Sequence, residues 1–283
     1  MKVRQLRLAT SWGELRVAGG SRAGEATLVL LPQLRIALDT GRPARALVPM
    51  QHVVVSHGHL DHLLGVPAWA SQRQLNGIPG GDVYVPASLA VPVTDLLALC
   101  ARAEGGKPYG VTVHAVAAGD VVRVRRDFAL RFFATSHWIE TLGCCLEHIR
   151  RHLRADLRSA PAEEIQRRRL AGETVTEESR TSLVAYLADT GPEVFASQPW
   201  LAEAEVLIVE CTFLARADRE RARRFHHLHL DDLVALAPAL HNRHLVLTHL
   251  SRRHRLGPAT RTIRSALAAK LEPALHFLNV EWE

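Results

Sequence analysis

The stretch Val53-Val54-Val55-Ser56-His57-Gly58-His59-Leu60-Asp61-His62 constrains this chain more than any other. A short apolar run, of the kind a buried strand makes, empties directly into three histidines and an aspartate. Imidazole nitrogens and carboxylate oxygens are the usual ligands of catalytic zinc, which is held by fewer protein atoms than structural zinc so that water can bind. Gly58 lets the backbone turn tightly between two histidines, since glycine accepts conformations other residues avoid. Four ligands this close together exceed the needs of one open zinc site. The spacing therefore points to two metals, with His57 and His59 on one and Asp61 and His62 on the other. The plain alternative is a histidine-rich surface loop, since the chain has 16 histidines. A solvated loop, however, needs no ordered alternation of His, Gly and Asp after an apolar strand.

At 283 residues, 47% hydrophobic and 23% charged, the chain has the balance of a globular protein with an ample core. No apolar run approaches the roughly 20 residues that span a bilayer. The N-terminus alternates like a strand and lacks the long apolar segment of a secretion signal, so a cytoplasmic protein is expected. Cys100, Cys144, Cys145 and Cys211 form no Cys-x-x-Cys pair. Cys144 and Cys145 would point to opposite faces of a strand, and buried free thiols are expected. The net charge of +6 suits a polyanion such as RNA. Yet Lys2, Lys107 and Lys270 are the only lysines, and such a skew to arginine also follows from a GC-rich genome.

The first half reads as strands over 3–9, 14–18, 26–31, 34–39 and 52–55, then a helix from His59 to about Arg73, a strand over 83–86 and a helix over 88–103. Strand-like runs follow near 111–115, 120–124, 128–134 and 142–148. The second half alternates again: strands over 183–188 and 205–209, a helix near 231–240 capped by Asp231, a strand over 244–248, a helix over 258–271 and a strand over 275–279. Both halves begin with strands alone and continue with strands and helices. This favours an α/β fold of two sheets facing each other with helices outside. Residues 150–180 stand apart, being polar, rich in arginine and glutamate and poor in large apolar side chains. They are read as a protruding arm whose common meaning is a solvated charged segment.

His57, Asp189, Glu210 and His249 each stand where a β-rich run ends, and His137 follows the run Leu130–Phe133. Ligands at strand ends converge on one rim of a sandwich. Asp189 sits in a turn-like Ala-Asp-Thr-Gly and can also bridge two metals through its two oxygens. His227, in a second histidine cluster, can act as a general acid, and Glu210 can keep it protonated. His229, nearby, can serve only to pack or cap.

His-x-His-x-Asp-His at 57–62, followed in order by His137, Asp189 and His249, resembles the metallo-β-lactamase superfamily. Within it the chain looks most like the short form of tRNase Z, the tRNA 3′-processing endoribonucleases, and especially the plant type. Pro32 to Arg42, Ser136-His137 before Leu142-Gly143, Val209 to Leu214, His227-Leu228-His229 and Leu247 to His254 carry the likeness, which runs over almost the whole chain. The first motif marks the superfamily; Glu210, His227 and Thr248-His249-Leu250-Ser251-Arg252-Arg253 are narrower. The chain departs from the family at Cys144 and His254, where tyrosine is common, and its arm lacks the Gly-Pro motif of the bacterial enzymes.

The resemblance implies a four-layer αββα sandwich of two facing mixed sheets with outer helices, as a single domain over 1–283 with an inserted arm at 150–180. It implies two zinc ions (manganese or iron being alternatives), one on His57, His59 and His137, the other on Asp61, His62 and His249, with Asp189 between them. Water activated between the ions attacks phosphorus, Asp61 orients that water or takes its proton, and His227, oriented by Glu210, protonates the leaving 3′ oxygen. Precursor tRNA is the implied substrate. Ser251, Arg252 and Arg253, and Arg150, Arg151 and Arg154 on the arm, are the expected contacts, the arm of one subunit of a homodimer serving the other. The rival readings are a hydrolase of small or cyclic phosphodiesters or of thioesters, and an RNA-binding scaffold without catalysis.

Overall fold

The computed structural model describes residues 3–281; Met1 and Lys2, ahead of the first expected strand, lie outside it, as do Trp282 and Glu283. Two seven-stranded sheets divide the chain at its middle. The first contains β1 (Arg4–Thr10), β2 (Gly13–Arg22), β3 (Ala26–Leu31), β4 (Ile36–Thr40), β5 (His52–Val54), β6 (Asp82–Pro86) and β7 (Thr112–Val116), side by side in chain order. The second contains β8 (Val121–Arg125), β9 (Phe128–Ala134), β10 (Leu142–Leu153), β11 (Thr176–Tyr186), β12 (Val206–Glu210), β13 (His244–Thr248) and β14 (Ala274–Phe277). Each sheet is antiparallel up to its fourth strand and parallel from there on.

Parallel neighbours need a crossover, and helices usually supply it. They are α1 (Leu60–Leu63), α2 (Gly65–Leu75) and α3 (Ala90–Ala103) on the first sheet. On the second, α4 (Ala162–Leu170) lies in the arm, and α5 (Val194–Ser197), α6 (Arg219–Arg224), α7 (Leu230–Leu236) and α8 (Leu256–Leu267) follow. Strand alternation builds three cores. Val206 and Ile208 of β12 face the first sheet, packing in one cluster with Val29, Leu31 and Leu38, whereas Leu207 and Val209 pack outward with Leu233 of α7 and Ile263 of α8. On β10, Cys144 belongs to the inner cluster and Cys145 to the outer one, as the period of two requires. The third cluster joins Leu28, Val53 and Val83 to Trp69 on α2 and Val93 and Leu97 on α3. The result is the expected αββα sandwich. Cys144, Cys145 and Cys211 are buried free thiols, while Cys100 is only half-buried.

Three local readings change. The helix expected over His59–Arg73 is broken at Leu64, which caps both α1 and α2. The cap of α7 is His229 rather than Asp231: its Nδ1 accepts the Asp231 N–H at 3.1 Å, and Asp232 accepts the His229 N–H at 2.9 Å. That is a capping box made with an imidazole in place of a hydroxyl. Finally, β10 does not stop near residue 148. It pairs with β11 out to Leu153 opposite Thr176, so the arm is a continued hairpin closed by 154–175. Its strands are held by charge where apolar alternation runs out. Arg151 lies opposite Glu178 and donates to it at 2.9 Å, and His152 lies opposite Glu177 at 3.3 Å.

Candidate metal centre

The parallel strands point their C-terminal ends to one rim. β9 shares that direction, because it and β11 both run antiparallel to β10. The β4–β5 region delivers Asp39 and His57, the loop after β9 delivers His137, and β11, β12 and β13 end at Asp189, Glu210 and His249. The backbone is forced there: Asp39, Ala188 and His249 hold φ of 58°, 54° and 56°, a left-handed region unusual for residues other than glycine. Gly41 permits a close approach, since a Cβ placed on it would stand 1.8 Å from the Asp61 carbonyl oxygen.

His57, His62, His137 and His249 each have one nitrogen tied to an orienting group and the other turned inward. Asp39, fully buried, accepts hydrogen bonds from the Ser56 N–H (2.7 Å) and hydroxyl (2.8 Å), the Tyr186 hydroxyl (2.5 Å) and His62 Nδ1 (2.7 Å). The Ser56 hydroxyl, donating to Asp39, accepts from His57 Nδ1 at 2.9 Å. The opposite side repeats the device: Thr212 donates its hydroxyl to Glu210 and accepts from His249 Nδ1 at 3.0 Å. His137 donates from Nδ1 to the His226 carbonyl at 3.2 Å.

The inward atoms therefore crowd together. His57 Nε2 lies 3.0 Å from His59 Nδ1, and His62 Nε2 lies 3.3 Å from His249 Nε2. His137 Nε2 and Asp189 Oδ1 are buried with no hydrogen-bond partner. Ligand atoms of His57, His59, His137 and Asp189 all lie within 4.8 Å of one another, as do those of Asp61, His62 and His249, and those of Asp189, Glu210, His227 and His249. Asp39, Asp61, Asp189 and Glu210 bring four carboxylates to this spot, and no lysine or arginine pairs with any of them among the described residues. Orphaned inward acceptors and an excess of negative charge fit a pair of divalent cations, and second nitrogens bound to oxygen acceptors are what metal-ligating histidines need.

The charge states follow the same logic. Burial holds His57 well below the ordinary histidine value and pushes His137 down to about 4, leaving neutral rings suited to metal. Burial opposes a charge on His62 too, but the carboxylates of Asp189 and Asp39 overcome it and hold that ring up to about 10. Burial would raise the Asp189 carboxyl, yet the surrounding imidazoles keep it well below the carboxylate range. For His227, burial is likewise outweighed by Glu210 at 2.7 Å, which raises it to about 9.

A cavity of about 380 Å³ opens over the cluster, lined by His59, Asp61, Asp189, His227 and His249 and walled by Trp138, Phe213, Phe225, Arg221, Ser251 and Arg253. A larger one, about 720 Å³, lies between Pro43–Pro49 and Trp69 of α2, and no metal-ligating side chain lines it. Thus all nine residues expected for metal and proton chemistry meet. Of the expected substrate contacts, Ser251 and Arg253 reach the cavity. Arg252 lies outside its wall, 3.8 Å from Glu25. Arg150, Arg151 and Arg154 sit on the arm, engaged by the Ser11 carbonyl, Glu178 and Asp156. Sequence reasoning missed Asp39, Ser56, Thr212 and Tyr186. The available signal was a charged Asp39 closing an apolar strand and a hydroxyl two residues after Glu210.

A family model described as a beta-lactamase superfamily domain matches residues 23–250. The chain belongs to the metallo-β-lactamase superfamily. With this fold and ligand cluster it is a metal-dependent hydrolase. Two Arabidopsis thaliana proteins are similar along most of the chain. "tRNase Z TRZ2, chloroplastic" is 29% identical over 265 residues, covering 91% of this chain and 74% of its own. "tRNase Z TRZ1" is 27% identical over 241 residues, covering 84% and 86%. Among solved structures, the metallo-β-lactamase fold protein YhfI from Bacillus subtilis has a TM-score of 0.63 at 14% identity, covering 100% of this chain and 98% of its own, which is a likeness of fold.

Proposed function

We propose that this hydrolase is an endoribonuclease that removes the 3′ trailer from precursor tRNA and leaves a 3′ hydroxyl. The observation that carries the reading is the Glu210–His227 pair beside the ligand cluster. A ribose 3′ oxygen is a poor leaving group and needs a proton, which a thioester sulfur does not. The two Arabidopsis relatives named as tRNase Z support the same substrate.

His57, His59 and His137 would hold one ion and Asp61, His62 and His249 the other, with Asp189 between them. Bound zinc, or manganese or iron, lowers the pKa of water and offsets charge on a phosphate. The chain's own residues do the rest. His227 Nδ1 is occupied by Glu210, so the proton on Nε2 is the one available to the departing oxygen. Glu210 also accepts the Thr190 N–H at 2.9 Å and the Thr212 hydroxyl, which fixes it as a base unable to swing away. Asp61 accepts the Gly24 N–H at 2.8 Å and lines the cavity, where it would orient water. Arg253 and Arg221, exposed and without a carboxylate partner among the described residues, offer guanidinium groups to phosphate.

The test is to incubate zinc-loaded protein with one 3′-extended precursor tRNA and map the cut, beside a chromogenic phosphodiester. A single cut at the base of the acceptor stem, leaving a 3′ hydroxyl, is expected. Turnover of the small diester with the precursor left intact would assign the site to another phosphodiester.

A further inference from the structure

Two solvent-exposed aromatic side chains stand at the cavity. Trp138 is 59% exposed and Phe225 is 40% exposed, whereas the other large aromatics among the described residues are mostly buried. Both line the cavity over the ligand cluster. The Trp138 ring lies against His59, tilted by 43° with centroids 5.2 Å apart, which sets it beside the ligand cluster. Phe225 is two residues from His227, and Arg224 lies over its ring at 5.5 Å. The segments that carry them bracket His137, since the loop of Phe225 places the His226 carbonyl on His137 Nδ1.

We infer that Trp138 and Phe225 form a base clamp, each stacking one of the two unpaired nucleobases that flank the scissile phosphate. An aromatic face next to a phosphate-binding centre with exposed guanidinium groups is the chemistry that recognises a single-stranded nucleotide without reading its sequence. A cyclic mononucleotide has a single base and can occupy only one such face. This inference rests on the reading of the site as a ribonuclease. It adds that the enzyme requires the nucleotides on both sides of the cut to be unstacked from the acceptor helix.

The experiment compares wild type, Trp138→Ala, Trp138→Phe and Phe225→Ala on a 3′-extended precursor tRNA and on two versions with one abasic residue immediately 5′ or 3′ of the cut. It reads kcat/KM, and by anisotropy the Kd for a labelled six-nucleotide RNA of the cleavage-site sequence and its abasic counterparts. Each alanine variant is expected to lose about tenfold on intact RNA, in the range for stacking one base. One abasic residue should abolish the loss for Trp138→Ala and the other the loss for Phe225→Ala, with Trp138→Phe restoring most of the activity. Equal losses on all three RNAs, no loss at all, or both losses abolished by the same abasic residue would overturn the clamp. Should wild type cut no precursor, the tRNA reading falls by that result alone. The hexanucleotide Kd values then judge the clamp by the same pattern.

Discussion

A proton on His227 is useful only if the group that leaves needs it. His227→Ala is therefore expected to keep its metal content and melting temperature. It should lose about 10²- to 10⁴-fold in kcat on an RNA substrate, the usual worth of a general acid, and much less on a p-nitrophenyl diester. Similar losses on both would remove the acid role. Asp39 argues for a different effect. It accepts four hydrogen bonds and aims His62 directly and His57 through Ser56. Asp39→Asn should weaken zinc binding by about 10- to 100-fold, as loss of an orienting partner does; a competition titration with a chelating dye would measure it. The ligands themselves were legible because their spacing is local or recurs at strand ends. Asp39, Ser56 and Thr212 were not, because nothing in a one-dimensional pattern separates a hydroxyl that orients a ring from one that caps a turn. The same residues predict a pH dependence. His62 and His227 sit near 10 and 9 in the metal-free fold, against 6.5 when unfolded. Between those values the folded chain binds more protons, so the stabilisation is complete below pH 6.5 and is lost as pH rises through 9 to 10. Metal-free protein should therefore melt at falling temperature from pH 7 to 10. In zinc-loaded protein a cation would replace the His62 proton but not that of His227, so its melting temperature should fall less over the same range.

At the scale of elements, the rim works because strands end in strain and loops approach closely. Gly41, at the end of β4, leaves no room for a side chain beneath Asp61. Gly41→Ala should push α1 away from β4, costing about 1–3 kcal/mol of stability as overpacking does, and lowering zinc affinity through Asp61 and His62. Thermal melting with and without zinc would separate the two effects; an unchanged melt in both would show the approach to be soft. Most elements could be read from period and punctuation, since their apolar faces pack in one of three cores. The far part of β10 and β11 could not, because cross-strand pairs such as Arg151–Glu178 hold it, and ion pairs leave no apolar alternation to recognise. The break at Leu64 escaped for the opposite reason: the apolar spacing runs through it uninterrupted.

For the whole molecule, the question is what an arm remote from the site contributes. β10 begins at the rim, where the Leu142 N–H donates to the Ser56 carbonyl at 3.0 Å, and runs 12 residues to the arm. At roughly 3.3 Å per residue the arm runs from about 26 Å beyond that rim at Arg150 to about 36 Å at Leu153. It therefore cannot touch the nucleotides being cut at its own site. Under the proposed function it would reach the body of a tRNA, or a substrate held by a second subunit of a homodimer. Its charge is also smaller than its arginine count suggests: over 150–180 eight arginines meet six carboxylates. Arg151, Arg154, Arg167 and Arg168 are each paired with one. If the arm binds phosphate as proposed, the contacts come from side chains left over, such as the exposed Arg169, or from partners exchanged on binding. Replacing 154–175 by a tight turn between Leu153 and Thr176 keeps the hairpin register. It should weaken precursor tRNA binding at least tenfold while leaving hydrolysis of a small phosphodiester unchanged. Mixing this variant with an Asp189→Ala chain whose arm is intact tests the second arrangement. If the arm serves a neighbouring site, mixed dimers recover cleavage that neither parent shows. If it serves its own tRNA, no recovery occurs, and sedimentation of the mixture establishes whether the dimers formed.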